Sequence, residues 1–172
     1  MSSIIMLHIL HILHIVPVAL AWREEMKVLH ALDIAVEREK GAHVFYSQAA
    51  EVTSDATGKK MFVWLAQQEL GHFNSLRKLK EALLKSDSEI ELGCLSAEDS
   101  KVIESLPKSE VSGEVTATTT AIEALQISMQ AERASIELYR RMEKSTTDPG
   151  AKMMFDELVA EEQAHLLLLE AQ

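Results

Sequence analysis

Apolar positions recur along this chain at helical spacing in four long stretches, and polar residues break into the apolar stripes at matching places. The first stretch predicts a helix from about Arg23 to Val52, with Leu29, Leu32, Ala35 or Val36, Glu39, Ala42 or His43, Tyr46 and Ala49 facing inward. Asp55 is a suitable N-cap for a second helix whose stripe is Phe62, Leu65, Glu69, His72, Leu76 and Leu83. The short turn between them makes an antiparallel hairpin. The pattern lapses from residue 87 to 118, where Gly93, Pro107, Gly113 and a threonine-rich run predict a polar connection with a short helix near Ala97 to Leu106. A third helix follows from about Ala117 to Lys144. Asp148 and Pro149 then supply an N-cap and a first-turn proline for a fourth, which runs to the end of the chain. The expected architecture is all-α, an antiparallel four-helix bundle made of two hairpins joined by one long crossover.

The polar interruptions repeat. Glu39, Tyr46, Glu69 and His72 recur in register as Glu132, Tyr139, Glu162 and His165, and the apolar frame follows, with Ala31, Leu32 and Ile34 matching Ala124, Leu125 and Ile127. Asp55, Lys59, Met61, Phe62 and Leu65 likewise match Asp148, Lys152, Met154, Phe155 and Leu158. A two-helix unit has been duplicated. Each leading Glu precedes its Tyr by seven residues, two helical turns, so both lie on one face. Each Glu-x-x-His pair also shares a face, at i and i+3.

Composition narrows the chemistry. The chain has 172 residues, enough for one domain with a real core, and a formal net charge of −10, which argues against nucleic-acid binding. The single cysteine, Cys94, excludes an internal disulfide, a four-thiolate iron site and a thiolate-rich zinc site. A redox role would therefore require a separate electron donor. Residues 1–25 stand apart from the domain expected over 26–172. From Ile4 to Trp22 there is no charged side chain, only apolar residues with His8, His11, His14 and Pro17 among them. That length just spans a bilayer, and Ala19-Leu20-Ala21 is similar to a signal-peptidase site, but the histidines and proline weaken a membrane span and no Lys or Arg precedes the apolar run. The plainest expectation is a true start at Met26 and a cytoplasmic protein, with a membrane anchor or export signal as the competing reading. At the other end, the apolar pattern continues well past His72 but only seven residues follow His165, so a truncated fourth helix is expected.

The repeated residues form a ligand set. Glu39, Glu69, His72, Glu132, Glu162 and His165 amount to four carboxylates and two imidazoles aimed at one interior. Two divalent cations would balance the four negative charges, which otherwise resist ionising together in an apolar core. Imidazole with carboxylate suits iron or manganese. A lone Glu-x-x-His is usually a helical surface pair; two copies in register with an upstream Glu and Tyr are far more specific. His43, four residues after Glu39, is an additional candidate ligand, though a packed or supporting histidine is the favoured reading. Glu37 and Glu161 are read as surface or support groups.

On AVEREKGAHVFY and QQELGHF in the first half, and AERASIELY and AEEQAHLLLLE in the second, the chain resembles the rubrerythrin-type branch of the ferritin-like superfamily. The resemblance implies a di-iron centre, with manganese or mixed metals as variants, in which Glu69 and Glu162 bridge, Glu39 and Glu132 are terminal, and His72 and His165 serve one metal each. Tyr46 and Tyr139 would hydrogen-bond the ligand carboxylates. It further implies reduction of hydrogen peroxide or dioxygen, a rubredoxin-like electron donor and a homodimer, with ferroxidation or a metal-stabilised structural bundle as alternatives. Two departures qualify it. The rubredoxin domain of full rubrerythrins has no counterpart within residues 1–172, and the position three residues after Glu132, where related peroxidases place an exchanging Glu, is Ser135, with Ala42 as its repeat counterpart.

Overall fold

The computed structural model describes residues 29–85, 98, 101 and 120–172. The segment before residue 26 and the boundary expected there lie outside the described residues, as does the crossover apart from residues 98 and 101. Helix α1 covers residues 29–52, α2 is Ala56–Lys85, α3 is Ala121–Ser145 and α4 is Pro149–Glu170. No strand occurs among the described residues. The helices form an antiparallel four-helix bundle of two hairpins, α1 with α2 and α3 with α4, as the pattern predicts.

Local chemistry sets the helix ends. At the first turn Asp55 accepts from the Gly58 amide at 2.6 Å and thereby caps α2. Asp148 does the same for α4 through the Ala151 amide at 2.7 Å, with Pro149 in the first turn, where a missing N–H costs nothing. The start of α3 differs from expectation. It begins at Ala121, four residues later than the pattern suggests, because Thr120 forms a capping box with Glu123. The Thr120 hydroxyl accepts from the Glu123 amide at 3.2 Å, and the Glu123 carboxylate accepts from the Thr120 amide at 2.8 Å.

The apolar stripes converge as two clusters. One joins Leu32 and Ala35 of α1 to Leu76, Leu138, Met142, Phe155 and Leu158. The other joins Phe45 and Ala49 to Phe62, Leu65, Ala131 and Leu169. Between them along the bundle lies a layer of buried polar side chains, and it coincides with the polar interruptions of the repeat. Burying each large apolar side chain contributes about 1.5–3 kcal/mol, and these two cores hold the layer in place. Arg38, itself buried, ties α1 to α3 by donating to the Ala131 carbonyl at 3.0 Å and the Ser135 hydroxyl at 3.4 Å.

Candidate metal centre

Each ligand-type side chain arrives on a different part of the repeat. Glu39 comes from α1, Glu69 and His72 from α2, Glu132 from α3, and Glu162 and His165 from α4; all six are buried. Because α2 and α4 run antiparallel, each imidazole meets the carboxylate of the opposite hairpin. His72 Nδ1 lies 3.0 Å from Glu162, and His165 Nδ1 lies 3.1 Å from Glu69. His72 Nδ1 is also 3.4 Å from both Glu39 and Glu69, while His165 Nδ1 is 2.9 Å from Glu162 and 4.0 Å from Glu132. The two rings face each other nearly parallel, with centroids 5.6 Å apart.

Two overlapping donor groups result. Glu39, Glu69, His72 and Glu162 bring one ligand atom each within 4.8 Å of one another, and so do Glu69, Glu132, Glu162 and His165. Glu69 and Glu162 belong to both. The donor set fits a pair of cations, since two carboxylates can span two positions while each position keeps its own Glu and His. A second observation points the same way. Buried atoms Glu39 Oε2, Glu69 Oε1, His72 Nδ1 and Glu162 Oε1 have no hydrogen-bond partner, an arrangement that costs free energy unless a cation satisfies them.

The tyrosines close the layer reciprocally. Tyr46 donates its hydroxyl hydrogen to Glu132, and Tyr139 donates to Glu39, so each hairpin's phenol holds the other hairpin's leading carboxylate. Their rings pack on the phenylalanine of their own hairpin, Tyr46 on Phe62 with centroids at 6.1 Å and Tyr139 on Phe155 at 6.4 Å. The Phe62 and Phe155 matches of the repeat therefore orient the phenols. Burial, then the neighbouring carboxylates, push both hydroxyls well above the usual tyrosine range and keep them protonated donors.

Burial and mutual repulsion shift the titration of the charged groups in the layer. Burial first, and then repulsion from Glu162, raise the carboxyls of Glu69 and Glu132 well above the ordinary carboxylate range. Glu162 goes the other way: burial alone would raise it, but the hydrogen-bonded His165 and the nearby His72 imidazole lower it. Burial alone would lower the two histidines, yet their contacts with Glu162 raise both. The shifts of these groups thus oppose one another around Glu162, with the two imidazoles and the carboxyls of Glu69 and Glu132 raised and Glu162 lowered.

Among the other candidates, His43 is not brought into either donor group. It is half-buried, and its ring Nδ1 lies 2.7 Å from the Ala66 carbonyl, a contact that ties α1 to α2. Ser135 Oγ accepts from Arg38, so the side chain at that position is engaged in helix packing. Glu161 is the residue whose importance the sequence understated: its carboxylate lies 2.7 Å from His72 Nε2. Its placement immediately before the ligand-type Glu162 hides that contact, because a residue one step along a helix points about 100° away, here toward the neighbouring α2.

Residues 8–80 match the family model for rubrerythrin. Among solved structures, the chain is similar to a Thermotoga maritima protein described as a ferritin-like diiron-carboxylate protein, at 21% sequence identity and a TM-score of 0.62, covering 84% of this chain and 92% of that one. No curated protein matches. The fold is therefore ferritin-like. The family match covers α1 and α2 as far as residue 80, and the second hairpin is related to the first by the internal repeat.

Proposed function

From the ferritin-like fold and the match of residues 8–80 to the rubrerythrin family model, we propose that the chain is a non-haem di-iron oxidoreductase of rubrerythrin type that reduces hydrogen peroxide or dioxygen. The observation that carries the proposal is the pair of donor groups sharing Glu69 and Glu162. In this reading Glu69 and Glu162 would serve both cations, Glu39 and His72 would hold one, and Glu132 and His165 would hold the other. Two ferrous ions bound there would supply the two electrons that, with two protons, convert hydrogen peroxide to two waters.

The chain's own residues do the rest. Tyr46 and Tyr139 keep the two terminal carboxylates aimed inward through fixed hydrogen bonds. Glu69 and Glu132, whose carboxyls favour the protonated form, and the two raised imidazoles give up protons as cations enter, so loading and proton release are coupled. The apolar clusters on either side exclude water from the layer. Electrons return from a separate small redox protein, consistent with a single cysteine in the chain.

Stopped-flow mixing of the anaerobically reduced, iron-loaded protein with peroxide tests the proposal. Oxidation of the ferrous centre should be complete within seconds and consume about one peroxide per pair of irons. A centre that remains ferrous for minutes under excess peroxide and under air would contradict it.

A further inference from the structure

The repeat that makes the centre symmetric is broken around its histidines. Glu161 stands where the first hairpin has Gln68, and Trp64 stands where the second has Glu157. These differences fall on the two imidazoles. His72 turns Nδ1 toward Glu39, Glu69 and Glu162, and its far nitrogen, Nε2, meets the Glu161 carboxylate at 2.7 Å. His165 turns Nδ1 toward Glu69 and Glu162, and its ring is met edge-on by Trp64, with centroids 5.4 Å apart and planes at 87°. One imidazole is thus backed by an anion, while the other has an indole against its ring and a neutral amide at the equivalent repeat position.

A carboxylate at Nε2 has a defined effect on a histidine ligand. It accepts the Nε2–H hydrogen bond, fixes the tautomer that leaves the Nδ1 lone pair facing the site, and makes that nitrogen a better donor to a cation. Gln68 carries no charge and cannot exert the same pull on His165. We propose that Glu161 is a positioning residue that makes the cation position of Glu39 and His72 the tighter of the two, so that the centre loads stepwise and that position fills first. The inference rests on the two-metal reading above. Glu161 is 55% exposed, so its charge is partly screened, and its replacement should leave the fold intact.

Calorimetric titration of the metal-free full chain with Co(II) tests this. The unaltered protein should take up two ions in two resolvable steps. Glu161→Gln should weaken the tighter step about 10-fold, toward the lower end of the range for such outer partners, and leave the weaker step unchanged. Gln68→Glu should tighten the weaker step and draw the two together. Glu161→Asp should retain part of the difference. A merely structural role for Glu161 would weaken both steps alike, and that result would overturn the inference, as would an isotherm insensitive to Glu161→Gln or uptake of two ions in one step. Failure to bind any Co(II) would remove the two-metal reading and this inference with it, whereas two ions bound without the stated asymmetry removes only the inference.

Discussion

Tyr46 on α1 donates its hydroxyl hydrogen to Glu132 on α3, and the repeat returns the contact, Tyr139 to Glu39. The exchange works because α1 and α3 run antiparallel: two turns forward from Glu39 to Tyr46 is matched by two turns back from Tyr139 to Glu132. Tyr46→Phe and Tyr139→Phe each keep the ring packing on Phe62 or Phe155 and remove one buried hydrogen bond to an acidic group. Each should destabilise the protein by about 1.5–3 kcal/mol in denaturant unfolding. The two losses should be similar, and a pair differing by more than that range would contradict the reciprocal arrangement.

Glu39 and Glu132 belong to separate donor groups, Glu39 with His72 and Glu132 with His165. Glu39→Ala and Glu132→Ala should therefore each cost one bound cation and leave the other in place. Cation content measured by elemental analysis after gel filtration checks this, and loss of both cations from either single variant would show that the positions are not independent.

Much of the fold was legible in the sequence because period and repeat agree. The stripes from Leu32 to Ala49 and from Phe62 to Leu76 emerged as buried faces, and Asp55 and Asp148 as caps. The start of α3 lies later than hydrophobic period predicts because Thr120 and Glu123 form a Thr-x-x-Glu capping box, a local hydrogen-bonding device to which that period is blind. That Glu39, Glu69, His72, Glu132, Glu162 and His165 come together in one buried layer was legible because they recur in register. Which imidazole meets which carboxylate was not, since that depends on how α2 and α4 align across the bundle. The contacts of Glu161, which the sequence marks only as a surface or support group, and of Arg38 are hidden for the same reason: both reach a neighbouring helix, and neither is repeated, Glu161 facing Gln68 and Arg38 facing Ala131 across the duplication.

The protonation of the layer predicts how the metal-free protein responds to pH. Glu69 and Glu132 are raised above the usual 4.5 on folding, by burial and then by Glu162. The histidines are raised above 6.5 because contacts with Glu162 outweigh burial. A group raised on folding stabilises the fold fully below its unfolded value and loses that contribution as pH rises toward the folded one. These four groups thus favour the metal-free fold at low pH. Glu162, lowered on folding, acts oppositely, but its contribution is lost only as pH falls below 4.5. The melting temperature of the metal-free protein should fall between about pH 5 and about pH 8, and the gain on adding Mn(II) should grow over the same interval as cations displace protons. Scanning calorimetry with and without Mn(II) measures both, and a gain that shrinks with rising pH would contradict the account.

His43 is held by the Ala66 carbonyl rather than by either donor group. His43→Ala should cost about 1 kcal/mol of stability from the lost helix-to-helix contact and leave cation content unchanged. Thermal unfolding with elemental analysis decides the point, and a lost cation would restore His43 as a ligand.

Glu69 and Glu162 are the residues shared by both donor groups, and the account rests on their sharing. Anaerobic reconstitution with Fe(II), removal of free metal and iron quantification by elemental analysis test it most directly. The intact protein should retain two irons per chain, and the Glu69→Ala/Glu162→Ala double variant, shown by circular dichroism to remain helical, should retain none. Fewer than one iron in the intact chain, or unchanged iron in the double variant, would contradict the account.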